Sequence, residues 1–423
     1  MIDERLIDKL VERLVDRIEQ GNSYVLEQIG KSIKQIGVLS PSKAQQLGQI
    51  LKYGGNYDKI VEKLTKITEL NKKDIYKIFR EVAKNDYEFA EQFYNYKKKK
   101  YIPFDENIAL QNQVKTLAKI TADEYVNLTK TSAVAFGWQD KNGTITYKGL
   151  KKTYQDLLDE AVLNVAQGKE TFDEAMYRQL KKIGGGGIKV IFPSTYVSKD
   201  EKGNEVLKNR VMRADSAVRM QIKSALRNLH NEVQAEVGKE FGADGVEISV
   251  HINPAPDHAE VQGRQFSKEE FKKFQNDQYA VDYTGKAFPP EHNGHDRRSI
   301  SEYNCYHYTF DIVLGVSKPN YSNEQLQEIL DDNEKGFELD GERYTNYQGS
   351  QMQRQLETEI RKQKDIQIMA KASGNKELVA ESQQKITQLT RKYKELSDVS
   401  GLPTKMERMR VSGYKRTSVA KMK

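Results

Sequence analysis

Cysteine is almost missing. Cys305 is the sole one in 423 residues, which excludes an intrachain disulfide framework and fits a reducing, cytosolic compartment. Long apolar runs are missing too. No stretch of 18 consecutive apolar residues occurs, and the opening MIDERLIDKLVERLVDRIEQG interleaves charge with apolar residues, so neither a membrane span nor a secretory signal is expected. Apolar residues make up 37% of the chain and charged residues 30%, a balance that favours long solvated helices and extended surfaces over one compact enzyme body. Common catalytic signatures are absent: no Gly-x-Ser-x-Gly, no His-Glu-x-x-His, no zinc-deaminase pattern and no Cys-x-x-Cys half-site. Gly184-Gly185-Gly186-Gly187 invites comparison with a phosphate loop. It follows a helical pattern, precedes the apolar run 188–192 and lacks the Lys-Ser or Lys-Thr pair, so it is read as a flexible helix-to-strand connection.

What is present begins with size and charge. A chain this long exceeds the size at which single cores stop growing, so two or three structural units are expected. The net charge is +7, and its placement matters more than its size. Between residues 402 and 423 stand Lys405, Arg408, Arg410, Lys415, Arg416, Lys421 and Lys423 against Glu407 alone. Such a tail can lie on phosphate backbone or on an acidic protein surface, or stay solvated and disordered. The run Lys97 to Lys100 is read as a helix end before Pro103.

Hydrophobic spacing indicates a mainly α fold with a central α+β module, a helical N-terminal region and long C-terminal helices. Ile2, Leu6, Leu10, Leu14 and Ile18, joined by Ile7, Val11 and Val15, form one apolar stripe, which Gly21-Asn22-Ser23 is expected to end. Helical patterns follow at 57–70, 73–84 and 89–96, divided by Gly54-Gly55 and Asn71. An extended helix is predicted through Leu110, Val114, Leu117, Ile120, Tyr125 and Leu128, another over 154–166, and a third from Thr171, which forms a capping box with Glu174, to Ile183. A long helix over 215–241 stops at Gly242. A strand of alternating pattern follows at 246–252 after a tight turn at Asp244-Gly245, and a second strand lies at 310–316. From Tyr347 on, two polar helices divided by Gly374 form either an antiparallel hairpin or a surface for a partner. The expected organisation is 1–100, an N-terminal helical domain; 101–185, an extended helical region; 186–335, the α+β module; 336–401, the C-terminal helices; and 402–423, the basic tail.

One constellation could carry chemistry. All six histidines, His230, His251, His258, His292, His295 and His307, fall in less than a fifth of the chain, with Cys305 among them. His251, Asp257, His258 and Gln262 come after the predicted strand, and Cys305 and His307 before the next. Thiolate, imidazole and carboxylate are zinc ligands, and a Cys–His pair can act as a nucleophile. The Cys305-x-His307 spacing is too tight for a standard half-site, so the preferred reading is a buried, hydrogen-bonded cluster bracing two loops, with no catalytic residue, metal or cofactor assigned. A hydrolase or metal-dependent effector on the same residues is the alternative. His292 and His295 are read as loop residues.

Several blocks then coincide. Gly245-Val246-Glu247-Ile248-Ser249-Val250-His251, Pro256-Asp257-His258-Ala259, Gln262-Gly263-Arg264, Asn304-Cys305-x-His307 and Gly315-Val316-Ser317 resemble, in order, the signature of the phage minor capsid protein family, second type, of phages infecting Gram-positive bacteria. Asn127-Leu128-Thr129-Lys130-Thr131, the helix containing Arg219, the run 344–361 and Gly401-Leu402-Pro403 extend the likeness over most of the chain. Tyr306 and Asp311 stand where family members usually carry Arg and Pro. The resemblance implies a structural, non-enzymatic head component in a virion, assembled in the host cytoplasm. It implies a place inside the capsid at the portal vertex, partners among the portal and other head proteins, and contact of the tail with packaged DNA.

Overall fold

A computed structural model describes residues 4–37, 57–96, 98–132, 135–139, 145–149, 164, 167, 169–186, 189–199, 205–292, 295–302 and 305–417. Its helices are α1 (Glu4–Gly37), α2 (Tyr57–Tyr96), α3 (Ile108–Ser132), α4 (Phe172–Gly186), α5 (Ala214–Phe241), α6 (Lys268–Gln275), α7 (Asn323–Lys335), α8 (Asn346–Ser373) and α9 (Lys376–Ser400). The chain is mainly helical with a small α+β module, as the periodicities predict. The apolar stripe of α1, Ile7, Leu10, Val11, Leu14 and Val15, is buried together with Val25, Leu26 and Ile29. It meets side chains of α2, α3, α5 and α8 in one continuous core. Each such side chain contributes about 1.5–3 kcal/mol on burial. That core draws on residues from both ends of the sequence, from Ile7 to Val411.

Three predicted breaks are helix interior instead. Gly21-Asn22-Ser23 does not end α1, which runs on to Gly37. A Cβ on Gly21 would sit 3.0 Å from Leu64 Cδ2, Asn22 Nδ2 donates to Asp365 at 3.1 Å, and the Ser23 hydroxyl donates to the Ser412 carbonyl. Nor does Asn71 divide α2, a single helix across 57–96. Buried Asn71 donates to the Leu14 carbonyl at 3.1 Å and to Tyr125 Oη at 3.0 Å, and accepts from Arg17 at 3.0 Å. The glycine run also differs from a flexible connection, because Gly184, Gly185 and Gly186 belong to α4. A Cβ on Gly184 would lie 2.8 Å from Ile366 Cα, so that glycine lets α4 and α8 touch backbone to backbone. In each case a small or polar residue marks a helix crossing, which local sequence rules read as punctuation. Gly54-Gly55 and, apart from Asn164, the helix predicted over 154–166 lie outside the described residues.

The capping box at the start of α4 is present, Thr171 N donating to Glu174 Oε2 at 2.8 Å and Glu174 N to Thr171 Oγ1 at 3.3 Å. Ahead of α4 stand β1 (Ala135–Gln139) and β2 (Ile145–Gly149), and after it β3 (Lys189–Lys199) and β4 (Glu205–Arg213), forming an antiparallel sheet of order β2-β1-β3-β4. Where β4 meets α5, α1 and α8, an ionic network is buried. Asp215 pairs with Arg361 and, at 3.1 Å, with Arg213, which holds Asp365 at 2.7 Å. Burial pushes the Asp215 carboxyl up, yet Arg213, Arg361 and Arg219 outweigh it and hold it well below the usual range. On neighbouring Glu19 the same arginines pull down but do not prevail. Burial and the Asp215 charge raise it to about 8, so it is protonated at neutral pH.

The α+β module hangs on α5, which ends at Gly242 in a left-handed cap (φ 72°). Its strand β5 (Gly245–Ile248) is flanked by β6 (Gln265–Ser267) and, after the short pairs β7 (Ala280–Val281) with β8 (Ala287–Phe288) and β9 (Glu291–His292) with β10 (His295–Asp296), by β11 (Thr309–Ile312). β5 is shorter than the predicted 246–252, and its alternation does not expose one face. All four residues are buried, Glu247 being held by Gln265 and Asn320 at 2.8 and 2.6 Å. The second predicted strand ends at Ile312, because Val313 to Val316 turn back. His292 and His295 pair across a two-stranded hairpin rather than lying in a loop.

After a small hairpin of β12 (Phe337–Leu339) and β13 (Glu342–Tyr344), α8 and α9 fold back on each other about Gly374. Gln353 reaches Ser397 at 2.8 Å and Glu357 accepts from Tyr393 at 3.1 Å. The hairpin alternative therefore holds. Beyond Gly401 the chain lies along α1, α8 and α9. Leu402, Met409 and Val411 are buried, Lys364 donates to the Met409 carbonyl at 2.6 Å, and Tyr414 donates to Gln383 at 3.0 Å.

Candidate functional site

Two sites emerge, one in the module and one at its seam with the helices. In the module, the loop leaving β5 returns on itself, Gly263 N donating to the Ile248 carbonyl at 2.9 Å. Gly263 has φ 68°, and a Cβ there would meet Leu326 Cδ2 at 2.5 Å, so only glycine closes this loop. The closure turns His258 and Gln262 inward, both at most 2% exposed. The segment entering β11 supplies Cys305 and His307 from the opposite side, 2% and 3% exposed.

These residues meet. Cys305 Sγ lies 3.5 Å from His258 Nδ1 and 3.6 Å from His307 Nδ1. His258 Nε2 is 2.7 Å from the Arg298 carbonyl, and His307 Nε2 is 3.3 Å from Gln262 Oε1. That oxygen also accepts from His251 N at 2.8 Å, and the His251 ring stacks edge-on against His307 with centroids 4.4 Å apart. Asp257 lies 3.7 Å from His258 Nε2, its carboxylate held by Arg298 at 2.7 and 3.0 Å. His230 is elsewhere, paired with Asp86 at 2.9 Å between α2 and α5. Burial depresses His251 to about 4 and His307 to about 2, neighbouring imidazoles and Arg227 adding to the effect. His258 falls for the same reason, with Asp257 opposing. The three rings are neutral at pH 7. Burial raises the Cys305 thiol, although backbone N–H groups of Ser301 and His307 pull the other way.

The second site was not predicted. A cavity of about 170 Å³ lies between α5, α8 and the C-terminal segment, lined by Arg219, Lys223, Arg227, Arg354, Arg361 and Arg408 with Glu357 as its acidic residue. Tyr306 forms its floor. Arg227 and Arg354 stand over its ring at 4.7 and 5.6 Å. Burial pushes the phenol up, but Arg354, Arg408, Lys223 and Arg227 outweigh it and bring it down to about 8. Carboxylates from outside the cavity answer three of the cations: Glu12 grips Arg219 at 2.8 and 3.0 Å, Asp8 meets Lys223, and Asp215 meets Arg361. Of the tail residues, Arg408 joins this cavity. Lys405 packs its backbone against Tyr393 Oη at 2.8 Å, and the Lys415 carbonyl accepts from Lys371. Arg410 and Arg416 lie within the described segment, and Lys421 and Lys423 outside it. A signal was available: Arg219, Lys223 and Arg227 repeat at four-residue spacing on one helix face, and Arg354 and Arg361 at seven.

The chain thus combines a helix-dominated body, a small module with a buried polar cluster, and a basic seam between them. The chain belongs to the phage minor capsid protein 2 family, whose model matches residues 2–398, which makes it a structural bacteriophage head protein. No curated protein and no solved structure matches it. Among the described residues no helix is long and apolar enough to cross a membrane.

Proposed function

We propose that this minor capsid protein sits inside the head at the portal vertex. Its helical body meets the portal and neighbouring head proteins, and its basic seam and C-terminal residues face packaged DNA. In this reading the five segments 1–100, 101–185, 186–335, 336–401 and 402–423 serve one non-enzymatic assembly unit.

The observation that carries the DNA contact is the cation-lined cavity, which continues through Arg408 into the basic C-terminal segment. Six cations line one small cavity, against Glu357 within it and Glu12, Asp8 and Asp215 from outside; that excess of positive charge supports a polyanion as the partner, and phosphates that release counterions are the chemistry such a surface takes. Burial of His258, Cys305 and His307 leaves no substrate access at the other centre, which supports a bracing role over a hydrolase.

The test has two parts. Particles carrying a tagged copy are imaged by cryo-EM, with density for the chain expected at the portal vertex inside the head; a chain absent from particles would refute the placement. Duplex DNA binding by the full chain is expected to weaken steeply with salt, and Arg354→Glu with Arg408→Glu to weaken it further at low salt. Salt-insensitive binding, or none, would refute the DNA contact.

A further inference from the structure

We propose that His258, Cys305 and His307 form a structural site for a zinc ion, or a similar thiophilic divalent cation, that pins the β5–β6 loop to the strand entering β11. The argument rests on where the protons are. A carbonyl oxygen only accepts, so the 2.7 Å contact of His258 Nε2 with the Arg298 carbonyl places the ring proton on Nε2 and the lone pair on Nδ1. The same reasoning fixes His307. Gln262 Oε1 is identified as oxygen because it accepts the His251 backbone N–H, so His307 Nε2 donates to it and Nδ1 carries the lone pair. Both free lone pairs therefore point at Cys305 Sγ, from 3.5 and 3.6 Å.

A thiol has one hydrogen. It can satisfy one imidazole lone pair and must leave the other facing sulfur, in a place buried from water, which is a costly arrangement for a polar cluster. A cation resolves it. With sulfur as thiolate, three donors converge on one point, all three ligand atoms lying within 4.8 Å of one another. Around a tetrahedral zinc, with Zn–S about 2.3 Å and Zn–N about 2.05 Å, sulfur and nitrogen ligands stand about 3.5 Å apart. The observed separations have that value.

The surroundings fit as well. Metal-bound imidazoles ordinarily donate their other N–H to a carbonyl or carboxylate, which fixes the tautomer; here the Arg298 carbonyl and the Gln262 amide oxygen do so. Backbone N–H groups of Ser301 and His307 face the sulfur, as a thiolate requires. His251 adjoins the site, its ring edge-on to His307 with centroids 4.4 Å apart and its Nε2 buried without a hydrogen-bond partner. Because the three ligands are at most 3% exposed, the ion braces the fold and does not meet a substrate.

The full chain purified without chelator is expected to hold about one zinc per chain by mass spectrometric metal analysis. Metal-stripped protein titrated with Co²⁺ should develop sulfur-to-cobalt charge-transfer absorption that saturates at an equimolar ratio and disappears in Cys305→Ser. Should that variant fail to fold, the native chain still decides. Cys305 is the sole thiol, so its reaction with a disulfide reagent should be at least about tenfold faster after chelation and slow again when zinc is restored. The proposal is overturned by protein that retains no metal and takes up neither Zn²⁺ nor Co²⁺. A thiol whose reactivity ignores both zinc and chelator, or cobalt absorption that survives in Cys305→Ser, overturns it equally.

Discussion

The helical body and the α+β module both bury polar groups, and they do so with opposite chemistry. In the body the buried groups are charged and answered by charge: Asp215 between Arg213 and Arg361, and Asp365 held by Arg213 and Asn22. In the module they are two imidazoles, whose Nε2 atoms meet a backbone carbonyl and an amide oxygen, and a thiol between their Nδ1 atoms. Each scheme suits its length scale. Helices that cross at several points have long arginines to bridge them, whereas a small sheet with tight loops brings together short side chains whose charges could not all be compensated.

The comparison breaks most sharply at Asp215. Replacing it with Ala takes the paired carboxylate from the buried Arg361 guanidinium and leaves Arg213 with Asp365 alone, and urea unfolding is expected to show a loss of about 3–5 kcal/mol. In the module, Gln262→Leu removes the acceptor for His251 N and His307 Nε2, and about 2 kcal/mol should be lost in the same measurement, since two buried donors go unmet.

Acid distinguishes the regions by sign. His251 and His307 have folded values below their unfolded value near 6.5. The unfolded chain therefore binds protons that the folded module refuses. Module stability is complete above about pH 6.5 and should drain by about 1 kcal/mol for each of the two rings between pH 7 and 5.5. Glu19 works the other way. Its folded value is raised to about 8, so the folded body already holds a proton that the unfolded chain takes up only near pH 4.5, and the body gains stability as pH falls through the same window. Hydrogen exchange corrected for intrinsic rates, with chelator present, should show module amides opening and α1 amides tightening between pH 7 and 5.5. Parallel changes in both would contradict the assignment. The smallest effect belongs to the surface: Arg80→Ala removes a 2.6 Å bridge to Asp105 in which both partners are half exposed, and less than about 1 kcal/mol should be lost.

Much of this was legible in the sequence, and what was not has a common cause. Apolar spacing located α3, α5, α8 and α9, and turn chemistry found Thr171, Gly242 and Gly374, because those signals are local. Gly21, Asn71 and Gly184 misled because their meaning lies in a partner helix remote in sequence: Leu64, Leu14 and Ile366 give them their reason. The gathering of His258, Gln262, Cys305 and His307 could be suspected from composition. Which ring nitrogen faces the sulfur, and that Asp257 hydrogen-bonds Arg298, depends on the loop closure at Gly263. The basic cavity was missed because its cations come from α5, α8 and a turn after α9, and only the stripe on α5 is visible within one segment.

The hydroxyl of Ser23 ends on the carbonyl of Ser412, and Asn22 on Asp365. Part of the covering of α1 therefore comes from a segment 389 residues further along the chain. A chain cut before that segment would leave this part of the helix uncovered, prone to aggregation or proteolysis.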